Sequence, residues 1–422
     1  MGISPSSKGW VKKYFSLVKN YETVLQKFPD GVLNAEELIY AFIQPTGLMY
    51  GHPVSFVFLD DDIIHKLSLD ESFKILLLEG LFLVDYIHKG EINHKSLEAS
   101  LNRFVAFYES TQLEKAKKGW LNFSKLNTFE KVESIISQRV KIKGNIANKI
   151  VTTYLYNSLL FHDLVLYQDY LSANTAINLV EKRSEIMLDL VKIVALSAKS
   201  DGSMSDEEKG IFKIFLASAN LNTPQKHEAE TFFETHKSLS DINFIYENTW
   251  LLRRFVLEIA ILTLWSNKGL SDLEEQFLNQ LTEKLNLKIA DRDNAYIAIQ
   301  SFVISNQTDS LFLKGKNDVA LILSGAGKRW SKILGRNKDK LAIELKNSKE
   351  LVSLISIATQ RDLTKDEKEK VKAQFFDLAK TIPSLALFML PGGAVILPVV
   401  LKLIPNLVPS AFANNRIEEE EE

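Results

Sequence analysis

The sequence predicts an all-α protein made of multi-helix bundles, and three observations support this fold class. Apolar residues recur at helical spacing through most of the chain, most clearly over 73–87, 186–198, 255–266 and 352–358. Alternation typical of a strand occurs only at Val54, Phe56 and Phe58, which is too short to build a sheet. A hydrophobic fraction of 46% in 422 residues is enough to bury sizeable cores.

Composition excludes several classes of function. The chain has no cysteine, so disulfides, thiolate nucleophiles and cysteine-ligated metal sites are excluded. Its seven histidines are scattered, and no metalloprotease, hydrolase or dinucleotide-binding motif occurs. A net charge of −2 gives no overall field that would attract DNA. We therefore expect no enzymatic activity, no DNA partner and no organic cofactor.

Residues 1–180 are predicted to form an N-terminal helical domain of unknown role, and a second domain over 185–290 contains an internal repeat. The segment 192–221 aligns without a gap with 258–287. The matched pairs include Ile193/Ile259, Leu196/Leu262, Ser205/Ser271, Asp206/Asp272, Glu208/Glu274, Asn220/Asn286 and Leu221/Leu287. Each half reads as an apolar helix, a short polar loop and a second helix that begins at a Ser-x-x-Glu capping box. Two such helical hairpins can pack together as a bundle.

The repeated helix, acidic loop and helix resemble the TerB-like fold, a small all-α domain whose two loops can hold a divalent cation. The resemblance implies Asp201, Glu208 and Glu274 as metal ligands. Asn267-Lys268 replaces the second Asp-Gly of the pattern, and the lysine opposes a cation. The alternative is that both glutamates only cap helices and that Asp201 only makes a turn with Gly202.

A basic stretch lies within a third segment, 291–350, which we interpret as amphipathic linker helices. Its cations are Lys314, Lys316, Lys328, Arg329, Lys332, Arg336, Lys338 and Lys340. Trp330, Ile333 and Leu334 lie among them at helical spacing. This pattern is typical of a helix in the headgroup layer of an anionic membrane. It also fits contacts with RNA phosphates or an ordinary solvated helix face.

The fourth segment, 351–422, contains a long stretch without a charge, from Thr381 to Leu401, followed by Lys402. A helix of that length spans about 30 Å, the thickness of a hydrocarbon core. Five of the ten prolines fall here, at Pro383, Pro391, Pro398, Pro405 and Pro409. A spacing of seven puts Pro391, Pro398 and Pro405 on one helical stripe, where each removes a backbone hydrogen bond. The alternative is a buried hairpin in a soluble protein, bent at Pro391-Gly392-Gly393.

The same segment resembles the LETM family, named for a leucine zipper, an EF-hand and a transmembrane segment. The resemblance rests on the helix start at Leu363, Thr364 and Glu367, on Asp377, and on LPVVLKLIPNLVPSAF over 397–412. A TerB-like domain joined to this segment resembles bacterial LETM-related biofilm-associated proteins. The family is linked to cation/proton exchange and to ribosome binding. The sequence ends ten residues after Phe412, where the family continues into its ribosome-facing domain, so we do not expect ribosome binding.

Together these features predict a membrane-tethered helical scaffold or sensor linked to cation homeostasis. The resemblance and the basic flank before Thr381 place it at the inner membrane with its N-terminal domains in the cytoplasm. We expect membrane lipid as a partner, together with a second copy of the chain or another membrane protein. Two alternatives stay open: a subunit of a cation/proton exchange system, and a soluble helical interaction protein with a buried C-terminal segment.

Overall fold

The structure, a computed structural model, is all-α in every part that it describes. The described residues are 2–18, 33–90, 94–111, 126–141, 157–172, 179–200, 202, 206–243, 249–264, 271–305, 331, 334–335, 337–382, 385 and 393–412. None of them forms a strand, and residues 54–58 lie in a loop that follows two short 3₁₀ turns. The fold class predicted from the apolar spacing is therefore confirmed.

The chain forms two compact units, residues 1–285 and 286–422. The helices described in the first unit are α1 (Trp10–Leu17), α2 (Ala35–Ile43), α3 (Leu69–Lys89), α4 (His94–Thr111), α5 (Thr128–Val140), α6 (Phe161–Ser172), α7 (Leu179–Ser197), α8 (Asp206–Ser218), α9 (Thr223–Glu234), α10 (Trp250–Leu264) and α11 (Asp272–Lys284). Those described in the second are α12 (Ile289–Ser305), α13 (Lys338–Asn347), α14 (Lys349–Gln360), α15 (Lys365–Thr381) and α16 (Gly393–Leu407). The structure thus groups 1–180 and 185–285 in one unit.

Helix α3 is the central helix of the N-terminal part and is buried over most of its length. Ser68 and Glu71 form a capping box at its start, and Gly90, with a φ of 72°, ends it. The helix contacts α2, α4, α5 and α6. A Cβ atom at Gly80 would lie 2.6 Å from Leu164 Cδ1, so the absence of a side chain at this position allows the approach of α6.

Buried carboxylates attach the N-terminal helix to this core. Glu133 accepts hydrogen bonds from the backbone N–H groups of Gly9 and Val11, at 3.0 and 3.1 Å. Glu79, at the middle of α3, accepts one from the Tyr14 hydroxyl at 3.0 Å. It also accepts one from the Val57 N–H at 2.6 Å, so one carboxylate joins three segments of the chain.

The repeat predicted from the sequence is present in the structure. Helices α8 and α11 have the same length, α7 contacts α8, α10 contacts α11, and α7 and α10 contact each other. Both second helices are followed by an asparagine in the left-handed conformation, Asn220 with φ 51° and Asn286 with φ 49°. Left-handed residues of this kind commonly end helices, and asparagine tolerates that conformation better than most side chains.

Arginines from the first helix of each hairpin complete these two helix ends. Arg183 donates to the Ala219 carbonyl at 3.4 Å, and Arg253 donates to the Leu285 carbonyl at 3.2 Å. The two carbonyls occupy equivalent positions of the repeat. A cation at a helix C-terminus is favoured by the helix dipole.

Candidate functional site

The candidate site is the C-terminal pair of helices, and its first part is the start of α15. The Thr364 hydroxyl accepts from the Glu367 N–H at 3.3 Å, while the Glu367 carboxylate accepts from the Thr364 N–H at 2.7 Å. Arg361 donates to both Glu367 oxygens, at 2.8 and 2.7 Å. These hydrogen bonds, that from Arg361 first, lower the pKa of Glu367 to about 2. The Leu-Thr-x-x-Glu motif is therefore a capping box closed by an ion pair.

Helix α15 presents one apolar face to the rest of the second unit. Val371, Phe375 and Leu378 are buried at a spacing of one helical turn, and buried Ile382 continues the row. Asp377 lies on the other side and is exposed. Helix α15 contacts α13 and α14. It is thus an ordinary amphipathic helix up to the point where the uncharged stretch begins.

Helix α16 buries its apolar face against α12 and α14. Leu397, Val400, Leu401 and Ile404 are each at most 5% exposed and follow the i, i+3, i+4, i+7 pattern of one helix face. Lys402 is exposed, as expected for the polar end of the uncharged stretch. The core of the second unit therefore contains the most apolar helix of the LETM-like segment.

The uncharged stretch does not form a single helix. Helix α15 ends at Thr381 and α16 begins at Gly393, so the expectation of one continuous helix over 381–401 is wrong. Helix α16 has 15 residues, a length of about 22 Å, which is less than the roughly 30 Å of a hydrocarbon core. Among the residues that the structure describes, no helix is long and apolar enough to span a bilayer.

The prolines lie at different places relative to these helices. Pro398 and Pro405 are inside α16, and Pro409 opens the exposed 3₁₀ turn Pro409–Ala411. Gly393 is the first residue of α16, whereas Pro383, Pro391 and Gly392 lie outside the described residues. Pro405 is half-buried, at the flank of the buried face. Neither internal proline can donate to the carbonyl four residues earlier, at Ala394 or Leu401.

The three residues considered as metal ligands are not brought together in the described part. Asp201 lies outside it, as does the side chain of Glu208 in α8. Glu274 is buried and forms the predicted capping box with Ser271, at 2.6 and 3.2 Å. No group of three acidic or histidine side chains suited to a metal ion occurs among the described residues. The cation site stays a prediction, and Glu274 has a structural role at the start of α11.

Of the basic stretch, the structure describes Lys338 and Lys340, which are exposed at the start of α13. The other six cations and Trp330 lie outside the described residues, whereas Leu334 is buried. The patch predicted over 314–340 is therefore seen only at its C-terminal end.

A buried polar network in the first unit has no counterpart in the motifs found by sequence. Arg254 and Glu258 on α10 form an ion pair of 2.6 Å with exposures of 2% and 0%. Tyr40 and Tyr50 each donate to the Glu258 carboxylate, at 2.6 and 2.7 Å. Burial raises the pKa of both phenols well above the ordinary value, so both are neutral donors. The available signal was that Arg254 and Glu258 lie one turn apart in a helix that, apart from Arg253, is mostly apolar.

The C-terminal helices are also the part of the chain that matches a known family. Residues 363–422 match the family model described as "LETM1-like, RBD". The match begins at Leu363 of the helix-start motif and includes α15 and α16. No curated protein and no solved structure gave a significant match to the chain. About one seventh of the protein, the part with the capping box and the proline-containing helix, is thus similar to LETM1-like proteins.

Proposed function

We propose that this protein is a non-enzymatic helical scaffold or sensor that its C-terminal unit tethers to the cytoplasmic face of the inner membrane. One observation carries the proposal. The uncharged stretch from Thr381 to Leu401 falls within the LETM1-like match, and α16 carries apolar side chains beyond the row that is buried in the second unit. Leu403 and Leu407 lie one turn apart outside the buried row and remain half-buried. The similarity to LETM1-like proteins also links the protein to ion homeostasis.

The packing of α16 makes the proposed tether conditional. Four buried side chains at about 2 kcal/mol each hold the helix in its unit with a free energy of the order of 10 kcal/mol. Transfer to lipid would preserve most of this apolar burial, because hydrocarbon is as apolar as the protein core. The carbonyls freed by Pro398 and Pro405 oppose insertion, since unpaired backbone groups in lipid cost several kcal/mol. We therefore expect α16 to stay packed in the second unit when the protein is in solution. At a membrane, it would exchange part of that packing for contact with lipid.

Flotation of the full-length protein with vesicles tests the proposal. Leu403→Lys together with Leu407→Lys places charge on the half-buried side of α16 and should abolish flotation. Leu273→Lys is the matched control, because Leu273 is 53% exposed on α11 of the other unit. In cells, deletion of 381–412 should move the protein from the membrane fraction to the supernatant. The tether would be contradicted if the full-length protein failed to float with vesicles of any composition and if high salt removed it from cell membranes.

The burial of α16 favours a second candidate, a soluble helical interaction protein. In that case the LETM-like helices serve as the core of the second unit, and their apolar side chains never meet lipid. The same experiment separates the two functions, because this candidate predicts no flotation. Co-purification of the full-length chain from cells would then identify a protein partner in the supernatant.

A further inference from the structure

Two buried polar side chains at the start of α6 have no hydrogen-bond partner. The hydroxyl of Ser158 and both ring nitrogens of His162 bond to no described residue, and both side chains are 0% exposed. Ser158 opens a 3₁₀ turn that runs directly into α6, so the two side chains lie about one turn apart. Polar atoms without a partner are rare at this depth, because each costs free energy of desolvation.

Arg183 of α7 adds a third group of this kind. It is 6% exposed, and its Nε has no hydrogen-bond partner in the described part. Its hydrogen bond to the Ala219 carbonyl is long, at 3.4 Å. Burial, followed by the charge of Arg183, lowers the pKa of the His162 imidazole to about 3. The imidazole is therefore neutral near pH 7, and one of its ring nitrogens can donate.

This cluster contains one more guanidinium than carboxylate. Asp163 is the carboxylate whose charge acts on Arg183 within the described part. Arg139 already binds both Asp163 oxygens, at 2.7 and 2.8 Å, and Tyr108 donates to one of them at 2.9 Å. Arg183 takes part in none of the ion pairs of the described residues, and burial lowers its pKa to about 10. A buried charge of this kind is strongly unfavourable unless a counterion neutralises it.

We infer that this cluster binds a small oxyanion, which accepts hydrogen bonds from Arg183 Nε, from one His162 ring nitrogen and from the Ser158 hydroxyl. A water molecule could bond to the same groups but would leave the Arg183 charge without a counterion, whereas an anion satisfies both needs. The start of α6 favours the same ligand, because a helix dipole places partial positive charge there. Three donors suit the oxygens of a carboxylate or of inorganic phosphate. The inference does not depend on the proposed tether, since all three residues belong to the first unit.

Arg253 of α10 provides an internal comparison. Like Arg183, it donates to the carbonyl at the end of the second helix of its hairpin, here Leu285 at 3.2 Å. Arg253 is half-buried, so solvent reaches its charge. The two arginines share a role at a helix end and differ in burial. The same substitution at each therefore separates anion binding from helix capping.

The experiment compares thermal unfolding of the full-length protein in sodium phosphate, sodium acetate and sodium chloride at equal ionic strength. We expect at least one of the two oxyanions to raise the melting temperature by about 2 °C over chloride, at a tenfold excess over its dissociation constant. Arg183→Gln should remove most of this rise, whereas Arg253→Gln should keep it. Equilibrium dialysis with radiolabelled phosphate or acetate should give one bound anion per wild-type chain.

Ser158→Ala keeps the inference testable if Arg183→Gln does not fold. In chloride this variant should melt at or above the wild-type temperature, because it removes a buried hydroxyl that has no partner. In the oxyanion that stabilises the wild type, its rise should be smaller than the wild-type rise. A serine with a purely structural role would show no such dependence on the anion.

Three results would overturn the inference. Equal melting temperatures in the three salts, with no bound radiolabel, would show that no small oxyanion binds. An equal loss of the rise in Arg183→Gln and Arg253→Gln would assign the rise to the general charge of the protein. A rise that is unchanged in both Arg183→Gln and Ser158→Ala would place the anion at another surface. Vesicle flotation tests the tether separately from all three.

Discussion

Arg254 and Glu258 form an ion pair that is removed from solvent, although the two residues are only one turn apart on α10. Arg254 also donates to the Tyr40 hydroxyl at 3.0 Å, and its guanidinium lies 5.0 Å from the centre of the Tyr40 ring. The pair thereby joins α10 to α2, which lies far earlier in the chain. Each charge depends on the other, because a single ion at this depth would have no solvent to stabilise it.

Removal of one partner should strongly destabilise the first unit. We expect Glu258→Ala to lower the free energy of unfolding by about 3–5 kcal/mol, because it leaves the Arg254 charge buried and unpaired. Urea unfolding followed by circular dichroism measures the change. Lys237 and Asp241 provide the control, since they are also four residues apart but exposed by 39% and 37%. Lys237→Ala should change stability by less than about 1 kcal/mol, and equal effects at the two sites would contradict the assigned role of burial.

The same network leads us to expect that 185–290 does not fold alone. The sequence repeat predicts a self-contained domain there, but α10 loses the Tyr40 and Tyr50 hydroxyls when 1–180 is removed. A fragment of 185–290 should show helical circular dichroism without a cooperative thermal transition. The fragment 1–285 should unfold cooperatively. A sharp transition in the shorter fragment would restore the separate domain.

The charge state of Asp189 should make stability fall as pH rises. Burial raises the pKa of this carboxyl to about 7 from an unfolded value of 3.8, so the folded state holds a proton that the unfolded state releases. Its contribution to stability is therefore complete below about pH 4 and is lost progressively as pH approaches 7. Asp189→Asn should stabilise the protein by about 1–3 kcal/mol near pH 8 and change little near pH 4.

Asp163 is the control for this pH dependence. Burial acts to raise its pKa, but the charge and hydrogen bonds of Arg139, together with the Arg183 charge and the Tyr108 hydroxyl, outweigh burial and lower it. Asp163→Asn should therefore be destabilising near neutral pH, with the loss diminishing only as the solution becomes acidic. Thermal melts across pH distinguish the two aspartates. The same pH profile for both variants would show that neither pKa shift has the assigned cause.

Pro405 should reduce the stability of α16, because it lies in the interior of the helix, where proline is rarely tolerated. Pro405→Ala restores a donor for the Leu401 carbonyl and should stabilise the second unit by about 1–3 kcal/mol. Pro409→Ala is the control, since the first position of a helical turn needs no N–H donor and the change should stay within about 0.5 kcal/mol. Unfolding of the two full-length variants, compared with the wild type, measures both changes in stability. A destabilising Pro405→Ala would mean that the proline ring itself is required for the packing of α16.

The proline stripe also has a functional test. Replacement of Pro391, Pro398 and Pro405 by Leu should preserve or strengthen membrane association, because leucines at 398 and 405 restore the two backbone donors that α16 lacks. If the freed carbonyls serve a partner segment or an ion path, the triple variant should lose self-association in crosslinking or ion leak in vesicles. Behaviour equal to the wild type in both assays would mean that the prolines serve neither a partner segment nor an ion path.

The sequence was most informative where a pattern is local. Helical spacing predicted the all-α class, and the Ser271–Glu274 capping box was found from the spacing of its two ends. Two asparagines matched by the repeat, Asn220 and Asn286, share a left-handed conformation. Long-range pairing was not accessible in this way, because nothing near Glu258 indicates that Tyr40 reaches it from a distant part of the chain.

The uncharged stretch shows a second limit of prediction from sequence. Apolar residues are removed from water equally by a protein core and by lipid, so composition alone does not distinguish the two. Pro383, Pro391 and the Gly392-Gly393 pair are residue types that disfavour a helix, and they were available in the sequence as a signal against one continuous helix. The burial of Leu397 and Ile404 against neighbouring helices became visible only in the folded unit.

The attachment of α1 through Glu133 has a consequence for the order of events during synthesis. The amides of Gly9 and Val11 bind a carboxylate that follows them by 124 and 122 residues. At translation rates of about 5–20 residues per second, α1 leaves the ribosome on the order of ten seconds before its acceptor does. During that interval α1 can reach only its earlier acceptor, Glu79 of α3, which binds the Tyr14 hydroxyl and follows it by 65 residues. The attachment of α1 is thus made in two steps, first to α3 and then, through the amides of Gly9 and Val11, to α5.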